Sequence, residues 1–259
     1  MGKLFGEREL SKKDFERIDI DVRSMPKEIK EKLLNGELTP LVEIRNQLDN
    51  GIIATMPVKL RLQRDTDGNA VLKAYPVSRD IVSDLKLQDA EQKRLQAGEV
   101  IQKDIREGNR TRTMFLQLDQ ETKSLLKREV NKAEIDKRID ELEHVKDITL
   151  GQNQRQAIRE GKPVELEIGD TKVTVGVDLR QNSGFKAIDG DMSEWKRQQE
   201  IKWDMANPGQ MGYWQTDENR WEYKQVQEKY KMQKPRRKRR RLSRRKCARL
   251  SASSKGTKV

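Results

Sequence analysis

The chain has 259 residues, 38% charged and 33% hydrophobic, with a formal net charge of +12, one cysteine and one histidine. Leu, Ile, Val and Phe supply only about 22% of it, so core material is thin and is expected in several small packing units. One cysteine excludes an internal disulfide framework, and the Cys/His count excludes the usual zinc and iron–sulfur clusters. No apolar run approaches the roughly 18 residues of a membrane span, and the charged N-terminus lacks a signal-peptide core, so no membrane partner is expected.

Residues 1–25 read as a short polar adapter, with Phe15, Ile18, Ile20 and Val22 first at helical and then at strand spacing. Residues 26–80 form a first helix–hairpin unit. Pro26 opens PKEIKEKLLNG, whose Ile29, Leu33 and Leu34 share one side. Val58, Leu60 and Leu62 then alternate up to an Asp67-Gly68 turn, and Val71 and Leu72 return. Residues 81–128 repeat the construction. A helical turn ends at Leu95 and Gly98, a strand carries Met114, Leu116 and Leu118 on one face, and the pattern breaks at Gln120–Lys123. Residues 129–146 predict a spacer helix, with Ile135, Ile139 and Leu142 on one stripe and a Glu134/Arg138 pair on the polar face. Residues 147–190 hold the third unit: Ile158 and Gly161 close a helix, then Val164, Leu166, Ile168 and Val173, Val175, Val177 alternate about a Gly169-Asp170 turn. In each unit a glycine three positions after a core Leu or Ile (Gly36, Gly98, Gly161) can take the left-handed conformation that ends the helix.

Seven of the twelve aromatic residues fall between Trp195 and Tyr230, and residues 191–233 are expected to form an aromatic helical segment. Its helices are placed at Glu194–Trp203 and Asn219–Met232, clasping the last hairpin, with Trp195 and Trp203 packed on it. The fold class expected is α+β: repeated small helix–β-hairpin units, a spacer helix, this aromatic segment and a disordered basic tail.

The tail is where the charge lies. Residues 234–259 contain 13 basic side chains and no acidic one, which leaves 42 basic against 43 acidic for residues 1–233. Ten of the basic residues stand in KPRRKRRRLSRRK: Lys234, Arg236, Arg237, Lys238, Arg239, Arg240, Arg241, Arg244, Arg245 and Lys246. Such a block repels itself and has little to bury, so it is expected to be unfolded. It can neutralise phosphates with release of counterions, and Trp221, Tyr223 and Tyr230 upstream are candidates for stacking on exposed bases.

Other chemistry is poorly supported. His144 ends the spacer helix beside Glu141 and Glu143, where a structural role suffices. Cys247 lies among basic neighbours that favour thiolate, with no base or oxyanion site in view. The Asp65/Asp67 and Asp189/Asp191 pairs read as polar turns, because the later ligands of a calcium loop are missing. Neither GxxxxGK[ST] nor GxGxxG occurs. No catalytic residue, metal or cofactor is expected.

Two phrases resemble known but uncharacterised domain families. Leu95–Val100 with Gln117-Leu118-Asp119, and Ile158–Val164 with Val177-Asp178-Leu179, are similar to the DUF3945 and DUF4099 domains of Bacteroidetes proteins, many of them associated with conjugative or other mobile elements. MPKEIKEKLLNGELTPL followed by the Arg61–Val77 hairpin looks like the domain that precedes them, and the whole likeness spans roughly residues 20–190. It implies a bacterial cytoplasmic setting and a mobile-DNA context, and brings no catalytic residues. The expected function is noncatalytic association with DNA or RNA through the tail, with the folded units available to a protein partner. The alternatives are a protein–protein interaction adaptor and an RNA- or ribosome-associated regulator.

Overall fold

The computed structural model describes residues 3–47, 52–107, 110–146, 149–199, 210–226 and 229–232. The basic tail, Cys247, Trp203 and the side chain of Tyr230 lie outside the described residues.

A 3-10 turn at Glu7–Glu9 leads into α1 (Lys12–Arg17) and α2 (Lys27–Leu34). Ser11 caps α1 by accepting from the Asp14 N–H. Phe15, Ile29 and Leu33 are fully buried on one side of these helices. The strand spacing read at Ile18–Val22 gives no strand. Asp19 takes a positive φ of 58°, and the turn sends Ile20 back into the same core.

β1 (Val42–Gln47), β2 (Ile52–Arg64) and β3 (Ala70–Pro76) follow. The 13-residue β2 alternates Val58, Leu60 and Leu62 toward α1 and α2. Lys59 and Arg61 therefore point from its opposite face. α3 (Asp89–Gln96) precedes β4 (Ile101–Glu107), β5 (Arg110–Leu118) and β6 (Leu125–Glu129), an antiparallel three-stranded meander. The two faces of β5 serve different cores: Leu116 and Leu118 join Leu95 and Ile101, whereas Phe115 joins a larger cluster. In that cluster α4 (Lys132–Lys146) presents Ile135 and Ile139, and α5 (Gln152–Arg159) presents Ile158. The same core takes Val164, Leu166, Val173, Val175 and Val177 from β7 (Val164–Ile168) and β8 (Thr171–Val177), and β9 (Phe185–Asp189) completes a second antiparallel meander. The Glu134/Arg138 pair expected along α4 is replaced by Glu134 to Arg128 at 2.6 Å and Arg138 to Glu141 at 2.8 Å.

The chain then runs through α6 (Met192–Arg197) and returns to the first sheet as β10 (Met211–Gln215), β11 (Trp221–Gln225) and β12 (Lys229–Met232). The first sheet is mixed, in the order β11-β10-β1-β2-β12, with β3 also on β2. β10 runs parallel to β1 with Val42 opposite Tyr213, and β12 pairs Lys229 to Met232 with Thr55 to Ile52.

This corrects the aromatic helical segment. Of its two helices only the first exists among the described residues, as α6, and Asn219–Met232 is not helical. The residues alternate with period two, placing Met211, Tyr213 and Gln215 opposite Gln225, Tyr223 and Trp221, and aromatic side chains suit that pleated, half-buried surface. Thr216 to Arg220 makes the turn. Asn219 donates its N–H to Thr216 O at 3.0 Å and sits at φ 59°, a three-residue hairpin loop closed in the left-handed region. The segment's strands β10–β12 complete the first sheet, and among the described residues Trp195 packs on the third hairpin, buried against Gly176 of β8.

Candidate functional site

Lys59 lies on the face of β2 turned away from the first core and meets the end of β5. Its ammonium is 2.6 Å from Asp119 Oδ1 and 2.7 Å from Glu121 Oε2, with its side chain only 7% exposed. Asp119 Oδ2 accepts from the Thr122 N–H at 3.0 Å and from the Thr122 hydroxyl at 2.8 Å. Burial pushes the Asp119 carboxyl upward, but the Lys59 charge and these hydrogen bonds outweigh it and hold it below the usual carboxylate range.

Just past β8, the fully buried Asp178 receives Arg180 Nε at 2.8 Å and Nη2 at 2.7 Å. Burial again opposes ionisation, and the Arg180 guanidinium overcomes it, so Asp178 too is lowered. The loop after Asp178 is fastened to the first sheet. Arg61 donates to the Gly36 and Leu179 carbonyls at 2.8 and 2.9 Å, and the Leu38 N–H donates to Arg180 O at 3.0 Å. Gln117, buried on β5, accepts from the Leu179 N–H at 2.6 Å.

These ties bring three sheets around a cleft of about 460 Å³. Its lining includes Lys186 of β9, Arg180, Lys32, Tyr213, Tyr223, Glu28 and Glu121. Lys186 donates to Gln198 Oε1 at 2.6 Å and, among the described residues, has no carboxylate at ion-pair distance. Burial lowers its pKa, and the Arg180 and Lys32 charges add to that against the pull of Asp178 and Glu194. Also in the cleft, Tyr213 and Tyr223 meet edge to face, centroids 5.0 Å apart. The Tyr213 hydroxyl donates to Glu28 Oε2 at 2.6 Å, and that bond with some burial pushes its pKa up to about 12. Tyr223 is 52% exposed.

The structure separates the residues singled out in the sequence. All ten tail residues, Lys234 to Lys246, lie outside the described residues. Trp221 is half-buried against the first core, and its indole N–H donates to Ser24 Oγ at 3.2 Å. Tyr223 stands in the cleft, and Tyr230 is in β12 opposite Ala54. Asp65 Oδ1 accepts from the Asp67 and Asn69 N–H groups at 2.9 and 2.8 Å, the turn expected there. Asp191 caps α6. Among the described residues no three His, Cys, Asp or Glu side chains gather as a metal group, and no helix is long and apolar enough to cross a membrane. The cleft itself was not foreseen as a site. Its one visible signal was a strand in which Lys59 and Arg61 alternate with core residues, marking a charged face that must meet another unit.

Residues 7–85 match the family described as "Protein of unknown function (DUF4099)". The match takes in α1, α2 and β1–β3, and leaves out both meanders and the strands β10–β12 that complete the same sheet. No curated protein and no solved structure matches the chain.

Proposed function

We propose that the protein is a noncatalytic accessory factor that associates with nucleic acid through the arm Lys234–Lys246. The observation that carries this reading is the charge partition: 13 basic and no acidic residues after Gln233, against 42 basic and 43 acidic before it. Clustered Lys and Arg bind phosphate backbones without reading sequence, with a strong salt dependence. Met232 pairs with Ile52, so the arm starts two residues from the edge of the first sheet and is tethered to the folded body there. The body then supplies protein contacts or sets the register of the arm. The setting is the bacterial cytoplasm in a mobile-element context, as the resemblance implies, and α2, α3 and α5 with the strands that follow them are copies of one ancestral unit.

The test is binding of the full chain, and of a chain ending at Gln233, to duplex DNA, single-stranded DNA and RNA across a range of salt. The full chain should show a steep decline of affinity with salt, and the shortened chain should lose most of its affinity. Equal affinity of the two proteins would overturn the reading. Tyr223, exposed beside the cleft, favours single strands over duplex within this function, because only an unpaired base offers its face.

A further inference from the structure

β11 ends the strand order β11-β10-β1-β2-β12, and among the described residues no strand pairs with its outer edge. Its register with β10 runs unbroken from Met211 opposite Gln225 to Gln215 opposite Trp221. Hydrogen bonds at the two ends of this ladder fix which backbone groups face outward. The Thr216 N–H donates to Arg220 O at 2.7 Å, and the Val226 N–H to Gln210 O at 3.0 Å. Bonded and non-bonded pairs alternate along an antiparallel ladder. Glu222 and Lys224 are therefore the β11 residues bonded to β10, while Trp221 and Tyr223 turn their N–H and C=O groups away from it. A proline or a bulge commonly blunts such an edge. β3, which is paired on one side by β2, ends in Pro76. β11 has neither device, and Tyr223, 52% exposed, stands at its centre.

We propose that β11 is a dimer interface, at which two copies of the chain pair their β11 strands antiparallel about a two-fold axis at Tyr223 and join their first sheets. The strand reads Trp-Glu-Tyr-Lys-Gln, which complements its own reverse. With Tyr223 opposite the partner's Tyr223, Glu222 faces the partner's Lys224 and Lys224 faces the partner's Glu222. The outward N–H and C=O of Tyr223 then bond to those of the partner's Tyr223. The two ion pairs fall at non-hydrogen-bonded positions, where facing side chains come closest. Moving the axis by one residue sets Glu222 against the partner's Glu222, or Lys224 against the partner's Lys224, so charge selects the register about Tyr223. Among the described residues neither Glu222 nor Lys224 has an ion-pair partner within its own chain. The Lys224 ammonium rests 3.1 Å from the centroid of the Trp214 ring, a contact of the same order as the cross-strand pair that would replace it. An isologous pairing of this kind closes on itself and leaves no further β11 edge open. It does not rest on the nucleic-acid reading, to which it adds a second arm per assembly.

The test is sedimentation velocity of the full chain, freed of nucleic acid, over a series of protein concentrations. The wild type should show a reversible monomer–dimer equilibrium. Glu222→Lys alone and Lys224→Glu alone each set like charges against one another on both sides of the axis, and should raise the dimer dissociation constant at least tenfold. The double variant Glu222→Lys/Lys224→Glu exchanges the charges and should restore the wild-type constant. An equimolar mixture of the two single variants should associate as a heterodimer, because each lysine-bearing edge then meets a glutamate-bearing one. Thermal melts establish that every variant is folded. The axis itself is read by Tyr223→Cys in a Cys247→Ser background. A bonded antiparallel pair sets its Cα atoms about 5.5 Å apart, which a disulfide can span, so mild oxidation should give a covalent dimer. A wild type that stays monomeric, a dimer that the folded single variants leave unchanged, or a mixture that fails to associate would overturn the proposal.

Discussion

Asp119 and Asp178 stand at corresponding places, each one residue past the middle strand of a meander, and each is a buried carboxylate held by one cation. The Asp119 N–H donates to Ser124 O at 3.0 Å and the Asp178 N–H to Gly184 O at 2.9 Å, closing the two loops in the same manner. The difference lies in the cation. Arg180 comes from the loop that Asp178 closes, whereas Lys59 comes from the first sheet. One pair is internal, and the other ties two sheets together at the floor of the cleft.

Breaking the inter-sheet pair should therefore cost stability in an ordered way. Lys59→Met leaves Asp119 buried without its cation, and breaking one side of a buried pair typically costs about 3–5 kcal/mol. Asp119→Asn should cost less, near about 3 kcal/mol, because Glu121 still neutralises Lys59. The double variant should be less damaged than the sum of the two. Urea denaturation of the four proteins measures this; additive losses would show that the pair is not coupled.

The same two carboxylates predict an acid limb. Both have folded pKa values lowered below the unfolded value, which is about 3.9 for an aspartate. Their contribution is thus complete above the unfolded value and lost as pH falls toward and through the lower folded values. Thermal melts should drop steeply below about pH 4. Asp119→Asn should be less stable at neutral pH yet show a shallower decline in acid, and a parallel decline would contradict the assignment.

Gly161 closes α5 at φ 84°, and a Cβ there would stand 3.1 Å from both Phe115 and Val100. Gly68, in the β2–β3 turn, has a similar φ of 81° but open space around it. Ala at either position meets the same backbone strain, of order 1–2 kcal/mol. Only at Gly161 does it also press on a packed contact between α5 and β5. Gly161→Ala should lower stability by roughly 2–4 kcal/mol, the upper end reflecting overpacking, and by more than Gly68→Ala in matched denaturant curves.

What was legible in the sequence was local. Val164, Leu166 and Ile168 with Val173, Val175 and Val177 announced β7 and β8 because strand alternation and a Gly-Asp turn are near-neighbour signals. Ile135 and Ile139 marked α4 for the same reason. The failures were at a distance. Trp221 and Gln225, four residues apart, share one face of a helix as readily as one face of a strand. The partner that decides between them, β1, lies some 170 residues earlier, where Glu43 faces Trp214. Lys59 showed as a charge interrupting an apolar strand, but nothing near it pointed to Asp119, 60 residues on. The cleft is made of such long-range pairings, so it emerged only when the sheets were brought together.

Tyr213 offers a test of the cleft wall at the alkaline end. Its hydroxyl bond to Glu28 raises its folded pKa to about 12, against about 10 for an unfolded tyrosine. A raised pKa contributes stability that is complete below the unfolded value and lost as pH climbs through the folded one. Tyr213→Phe removes one hydrogen bond at an exposed carboxylate and should cost about 1 kcal/mol or less at neutral pH. Between about pH 10 and 12 the wild type should lose that advantage, so the two stability curves converge. Phenolate absorbance should show the last-titrating tyrosine missing from Tyr213→Phe, and Glu28→Gln should bring that titration back toward the ordinary range. A wild type without a late-titrating tyrosine would mean that the Tyr213–Glu28 bond does not form in solution.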